Sequence, residues 1–133
     1  MADLLTLSAD VIDGRLELDR AGPLNRINHT LSEINDGLAV VEAFSHCIAF
    51  QTDDGLVTFD TSNEHGGQRC VDAIRGWSDS RFNSLVFTHG HIDHVGGAGA
   101  FMADSTGATI VAHENVALRF ERYRLTNGNN HVI

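Results

Sequence analysis

From Ser84 to Thr88 a short apolar, partly β-branched stretch, Ser84-Leu85-Val86-Phe87-Thr88, runs straight into His89-Gly90-His91-Ile92-Asp93-His94-Val95-Gly96-Gly97. This junction constrains the fold more than any other part of the chain. Such a run predicts a buried strand. Three of the eight histidines lie within the six residues from His89 to His94. His89, His91 and Asp93 are spaced by two, so in extended backbone their side chains share one side. His94 breaks the alternation and joins them only if the chain turns, which Gly90 and Gly96-Gly97 make easy. The polar cluster then stands at the C-terminal end of a strand, where open α/β sheets gather their sites.

The flanking patterns supply the rest of the fold class. Residues 1–35 are polar and weakly periodic; they suggest an extended segment near Arg15–Leu18, a turn at Gly22-Pro23 and irregular chain to Asp36. After the Asp36-Gly37 turn signal, Leu38–Phe44 and His46–Gln51 read as strands. Asp53-Asp54-Gly55 marks a tight hairpin, and Leu56–Phe59 the next strand, ending at Asp60-Thr61-Ser62. Together these predict an antiparallel meander. Cys70, Val71, Ile74 and Trp77 then fall at helical spacing, so His65–Trp77 reads as an amphipathic helix on the sheet. Ala98–Ala103 predicts a short helix, Ala108–Ala112 a buried strand, and Val116, Phe120 and Tyr123 mark a final helix from Glu114 to Leu125. The fold class is α/β with a mixed sheet.

Composition narrows the functions. The formal charge of −9 repels phosphate backbones, so no nucleic-acid partner is expected. No apolar run approaches the roughly 20 residues that cross a bilayer, and the acidic start Met1-Ala2-Asp3-Leu4-Leu5 lacks the pattern of a secretory signal. A cytoplasmic protein without membrane contact is the expectation. Cys47 and Cys70 form no CxxC pair and read as reduced, buried thiols. No G-x-S-x-G elbow, P-loop or dinucleotide fingerprint appears.

The cluster itself points to metal chemistry. Imidazole nitrogens and carboxylate oxygens suit zinc and other divalent first-row metals. Four donors on one loop are too many for one open catalytic site and too few for two. Splitting them resolves this: His89 and His91 toward one ion, Asp93 and His94 toward a second. Two ions about 3.5–4 Å apart can share a hydroxide, a nucleophile available near pH 7 without a protein serine or cysteine. Structural zinc sites favour cysteine-rich closed sets, which this cluster is not. Asp60, at a strand end, reads either as a carboxylate orienting a ligating imidazole or as a turn former. His113 reads either as a residue lining the same edge or as a polar helix start. Phe120 and Tyr123 read as core, His46 as structural. Arg119, Arg122 and Arg124 read as a solvated helix face or as binders of an anionic substrate.

The run His89-x-His91-x-Asp93-His94 resembles the signature of the metallo-β-lactamase superfamily, and Leu56-Val57-Thr58-Phe59-Asp60-Thr61 looks like the strand and aspartate that precede it there. The resemblance spans Leu38 to Ile133. It implies a four-layer αβ/βα sandwich with a dinuclear site at one edge. Residues 36–133 would form its first, N-terminal half, and residues 1–35 an extension. It also implies two zinc ions per complete site, with other divalent metals as substitutes, and Asp93 as the catalytic residue steering the bridging hydroxide. Asn25-Arg26-Ile27-Asn28-His29, Ala112-His113-Glu114-Asn115-Val116 and Arg119-Phe120-Glu121-Arg122-Tyr123-Arg124 look like the alkyl sulfatase branch, which implies small sulfate or other anionic esters as substrates.

Members of the superfamily usually supply a further histidine, a bridging aspartate or cysteine and a last histidine from later in the chain. Beyond the motif this sequence has only His113 and His131 as imidazoles and Asp104 as an aspartate, none in a matching pattern. The expectation is a metal-dependent hydrolase of which these 133 residues are the first half. The alternative is a non-catalytic metal-binding fragment that needs another chain. Half a sandwich would leave an apolar sheet face bare, which invites a homo-oligomer.

Overall fold

The computed structural model describes residues 4–17 and 26–130, with side chains up to residue 126. Six strands form one sheet in sequence order: β1 (Leu31–Asn35), β2 (Leu38–Val41), β3 (Cys47–Thr52), β4 (Gly55–Phe59), β5 (Phe82–Val86) and β6 (Thr109–Val111). β1 to β4 are antiparallel neighbours, whereas β5 runs parallel to β4 and β6 parallel to β5. The helices are α1 (Leu4–Ile12), α2 (Glu64–Arg75), α3 (Ile92–Val95), α4 (Ala98–Asp104) and α5 (Asn115–Asn130).

Local chemistry explains the meander. Gly37, at φ 70°, completes the two-residue turn between β1 and β2. Gly55, at φ 124°, closes the β3–β4 turn, where a Cβ would stand 2.5 Å from the Arg81 carbonyl oxygen. The parallel pairs need crossovers, and α2 makes the first. Its start is set by Asn63, whose side chain accepts from the Gly66 N–H at 2.7 Å. Cys70, Val71 and Ile74 then fall on one buried face.

One face of the sheet packs under α2 and α4. Val41, Cys47, Ala49, Leu56, Phe82 and Leu85 join Cys70, Val71, Ile74 and Phe101 in a single buried cluster. The rings of Phe82 and Phe101 meet at 4.9 Å between centroids. Arg75, at the end of α2, bonds Asp104, at the end of α4, together with the Ser78 and Ser80 carbonyls and Ser105. The opposite face is also apolar. Leu38, Val40, Ile48, Phe50 and Phe59 line a shallow concavity of about 360 Å³ there, and Phe50 is 40% exposed.

Several expectations are corrected. Residues 4–12 form a helix where no element was foreseen, although it buries none of its residues. The polar stretch Leu31–Asn35 is an edge strand, drawn into register by β2 rather than by its own pattern. β6 is shorter than Ala108–Ala112 and lies exposed at the other edge, with Ile110 47% and Val111 49% accessible. Phe120 is not core: it is 41% exposed, because among the described side chains of the final helix only Val116, in its first turn, reaches the cluster. The segments at Leu18, Gly22-Pro23, Asn25 and His131 lie outside the described residues.

Candidate metal centre

Three parallel strands end side by side, and each releases site residues at its C-terminal end: β4 leads to Asp60, β5 to Thr88 and His89, β6 to His113. The backbone there is strained. Asp60 and Ser62 hold φ 59° and 62°, which cost about 1–3 kcal/mol apiece for residues with a side chain. The surroundings enforce these angles: Asp60 N–H donates to the Val86 carbonyl at 2.9 Å, and Thr61 N–H to the His94 carbonyl at 2.7 Å.

The turn that His94 requires is helical. His91 (φ −81°, ψ 144°) precedes the single turn α3, and the His94 N–H donates to the His91 carbonyl at 3.0 Å. The imidazoles of His89 and His94 lie 4.0 Å apart between centroids, those of His89 and His91 4.5 Å. Asp93 brings a carboxylate oxygen to 3.6 Å from His94 Nε2. The glycines serve this loop by being small, not by adopting left-handed angles. Gly97 sits at φ −79°, and a Cβ there would stand 2.0 Å from the Thr61 carbonyl oxygen and 2.7 Å from Gly67 Cα.

Asp60 organises the imidazoles. It is 6% exposed and accepts from Thr88 N–H at 2.9 Å and Thr88 Oγ–H at 2.7 Å. Its Oδ2 lies 2.7 Å from His94 Nδ1, so the proton of that nitrogen points at the carboxylate and Nε2 keeps its lone pair. The Thr88 hydroxyl, having given its hydrogen to Asp60, accepts from His89 Nδ1 at 3.0 Å, which leaves His89 Nε2 as a lone pair too. Desolvation, and next the neighbouring His94 and His91, hold His89 below the ordinary histidine range. A histidine kept neutral is the form that ligates a metal.

The donor types therefore fit a divalent metal, with His89, His91, Asp93 and His94 on one loop and Asp60 behind it. Their placement does not close a site: among the described residues no three His, Cys, Asp or Glu side chains stand grouped to hold an ion. His91 Nε2 instead accepts from Arg119 Nη2 at 2.7 Å.

Ser45, whose hydroxyl lies 2.9 Å from His94 Nδ1, went unassigned in the sequence, because it reaches the cluster from a remote element; Arg119, which the sequence offered as a solvated or anion-binding residue, meets His91. His113 lines the same cavity as His89 and His91, but its Nδ1 accepts from the Asn115 N–H at 3.1 Å and bonds no imidazole of the cluster. The arginines divide: Arg119 meets His91, and Arg124 pairs with Glu121 on the exposed face. His46 is exposed, its Nδ1 bonded to the Ala43 carbonyl. Cys47 and Cys70 are free, buried thiols, as their spacing suggested.

Residues 40–131 match the family model described as the metallo-beta-lactamase superfamily. Among solved structures, the chain is similar to a metallo-beta-lactamase with a HARLDQ motif from Cronobacter sakazakii (TM-score 0.63, 19% identity, covering 74% of this chain and 36% of that one). It is similar to the MIM-2 metallo-beta-lactamase (TM-score 0.55, 29% identity, 62% and 32% covered). It is also similar to the sec-alkylsulfatase Pisa1 from Pseudomonas sp. (TM-score 0.50, 26% identity, 55% and 12% covered). The chain thus spans about a third of the length of the two lactamases. No curated protein matches it. Among the described residues no helix is long and apolar enough to cross a membrane.

Proposed function

The chain belongs to the metallo-beta-lactamase superfamily, and from that premise we propose that it carries the metal-binding loop of a metal-dependent hydrolase acting on small anionic esters, sulfate esters among them. One observation carries the reading. A buried carboxylate, Asp60, and the Thr88 hydroxyl occupy the Nδ1 side of His94 and His89, so both imidazoles offer Nε2 on a loop that also holds His91 and Asp93. Buried carboxylates behind imidazoles are the usual means of fixing tautomer and ring orientation for a metal.

His89 and His91 would hold one zinc ion, and Asp93 and His94 a second. Bound zinc supplies Lewis acidity and lowers the pKa of water toward neutrality. Asp60 keeps His94 in one tautomer. Thr88 couples Asp60 to His89, so that the two imidazoles are oriented by one carboxylate. Asp93, beside His94 and within the first turn of α3, is the carboxylate available to orient a water and accept its proton.

A second reading is favoured by the lack of a closed three-donor group among the described residues: the chain binds metal, and turnover depends on ligands from another segment or chain. Zinc titration together with hydrolysis of p-nitrophenyl sulfate and p-nitrophenyl acetate separates the two. Two zinc ions bound, with turnover abolished in Asp93→Ala while the fold persists, supports the hydrolase. Unchanged turnover in Asp93→Ala refutes the dinuclear assignment. Binding of at most one zinc without turnover supports the second reading.

A further inference from the structure

We propose that Arg119 is a substrate-positioning residue, whose guanidinium holds the anionic group of the ester in a cavity beside the histidine loop. The proposal rests on the hydrolase reading above and adds to it the group that selects the substrate's charge. The cavity measures about 410 Å³ and lies between Thr88–His91 and the start of α5. It has room for a small ester, and among the described residues no carboxylate lines it. In a chain of net charge −9, a cavity with a guanidinium and three imidazoles on its wall stands out as a place for an anion.

Three observations single out Arg119. First, its partner is unusual. Arg15, Arg26, Arg75 and Arg124 each pair with carboxylates, whereas Arg119 donates one Nη2 hydrogen to His91 Nε2. Among the described residues no carboxylate pairs with Arg119. Second, its Nε is buried without a hydrogen-bond partner among the described residues. A buried donor lacking an acceptor is costly, and a tetrahedral oxyanion takes guanidinium hydrogens in pairs. Third, its position is built. The guanidinium carbon lies 5.1 Å from the centroid of the Tyr123 ring, and the stem passes so close to Gly90 that a Cβ there would be 3.1 Å from Arg119 Cβ. Stacked below and confined beside a glycine, the side chain is pre-organised. His113 adds a second donor: its Nδ1 accepts from Asn115, so in the neutral ring Nε2 carries the hydrogen.

The probe is butanesulfonate, which has the charge and shape of an anionic alkyl ester but no bond to hydrolyse. Backbone amide shifts of Gly90, Asn115 and Val116 are followed by NMR at constant ionic strength, with n-butanol as the neutral control. Saturable shifts are expected for butanesulfonate and not for butanol. Arg119→Gln is expected to weaken binding by about tenfold or more, since a charge-assisted pair is lost. Arg119→Lys, which keeps the charge and loses the fork, is expected to fall between, and Arg122→Gln to bind like the wild type. Equal affinity for butanol, or wild-type affinity in Arg119→Gln, overturns the proposal. Should Arg119→Gln lose its dispersed spectrum, the wild type against Arg119→Lys and butanol decides the matter by the same criteria. Zinc titration of the same samples keeps the two claims apart. Arg119-dependent sulfonate binding in a protein that takes up no zinc supports the anion site and refutes the metal-dependent reading.

Discussion

Asp60 accepts two hydrogen bonds from Thr88 and lies against His94 Nδ1, while its own backbone sits at φ 59°. A strained residue with a fully engaged side chain is one whose surroundings over-determine it. Asp60→Asn keeps the size but offers one acceptor oxygen in place of two. Zinc affinity is expected to fall about 10–100-fold, as for other partners of ligating imidazoles, in a competition titration against a chromogenic chelator. Wild-type affinity in the variant would show that Asp60 only forms the turn. The buried thiols give a test of another kind. Burial pushes Cys70 from an ordinary 9.0 up to about 12, and Cys47 well upward too. A folded-state pKa above the unfolded one means the native state holds its proton more tightly. That contribution to stability is complete below about pH 9 and is lost as pH rises toward 12. Urea midpoints should therefore decline over that window and decline less in Cys70→Ala; identical slopes would place the loss elsewhere.

At the level of elements, the site depends on how closely α2 and the loop before α4 approach. Gly67 in α2 and Gly97 beside α4 lie against each other, and the Gly97 N–H donates to the Ser62 carbonyl at 3.0 Å. Gly97→Ala would press a methyl into the Thr61 carbonyl. We expect a loss of about 3 kcal/mol, seen as a thermal midpoint lowered by roughly 10 °C. Gly99→Ala is the informative contrast. It lies inside α4 with nothing within 4 Å of its would-be Cβ, so the better helix former should raise stability by about 1 kcal/mol. If both changes act alike, the close approach at Gly97 is not what limits that position.

For the whole molecule, the sheet has one face under helices and one apolar face with Phe50 and Phe59 in edge-to-face contact at 5.6 Å. An apolar patch of this kind drives association. The 133-residue chain is expected to self-associate with rising concentration in sedimentation velocity and to bind a hydrophobic dye. Phe50→Thr, which keeps a strand-forming residue and removes about 1–2 kcal/mol of apolar transfer energy, should shift the equilibrium toward monomer roughly tenfold. A monodisperse monomer at every concentration would count against that face as an association surface.

Much of this protein was legible because its signals are local. Alternation and turn chemistry at Asp36-Gly37 and Asp53-Asp54-Gly55 specify a meander, and the Cys70, Val71, Ile74 spacing specifies α2, since each depends on neighbours a few residues away. The candidate donors in His89–His94 likewise lie in one short run. What only the tertiary structure decided is which distant groups face those donors. Ser45 and Asp60 reach His94 across 49 and 34 residues, and Arg119 reaches His91 across 28. No periodicity encodes such meetings; they follow from strand order at one edge of the sheet. Exposure escaped the sequence for the same reason. Phe120, Ile110 and Val111 have the composition of core residues, but an apolar side chain is buried only where the fold brings another surface against it.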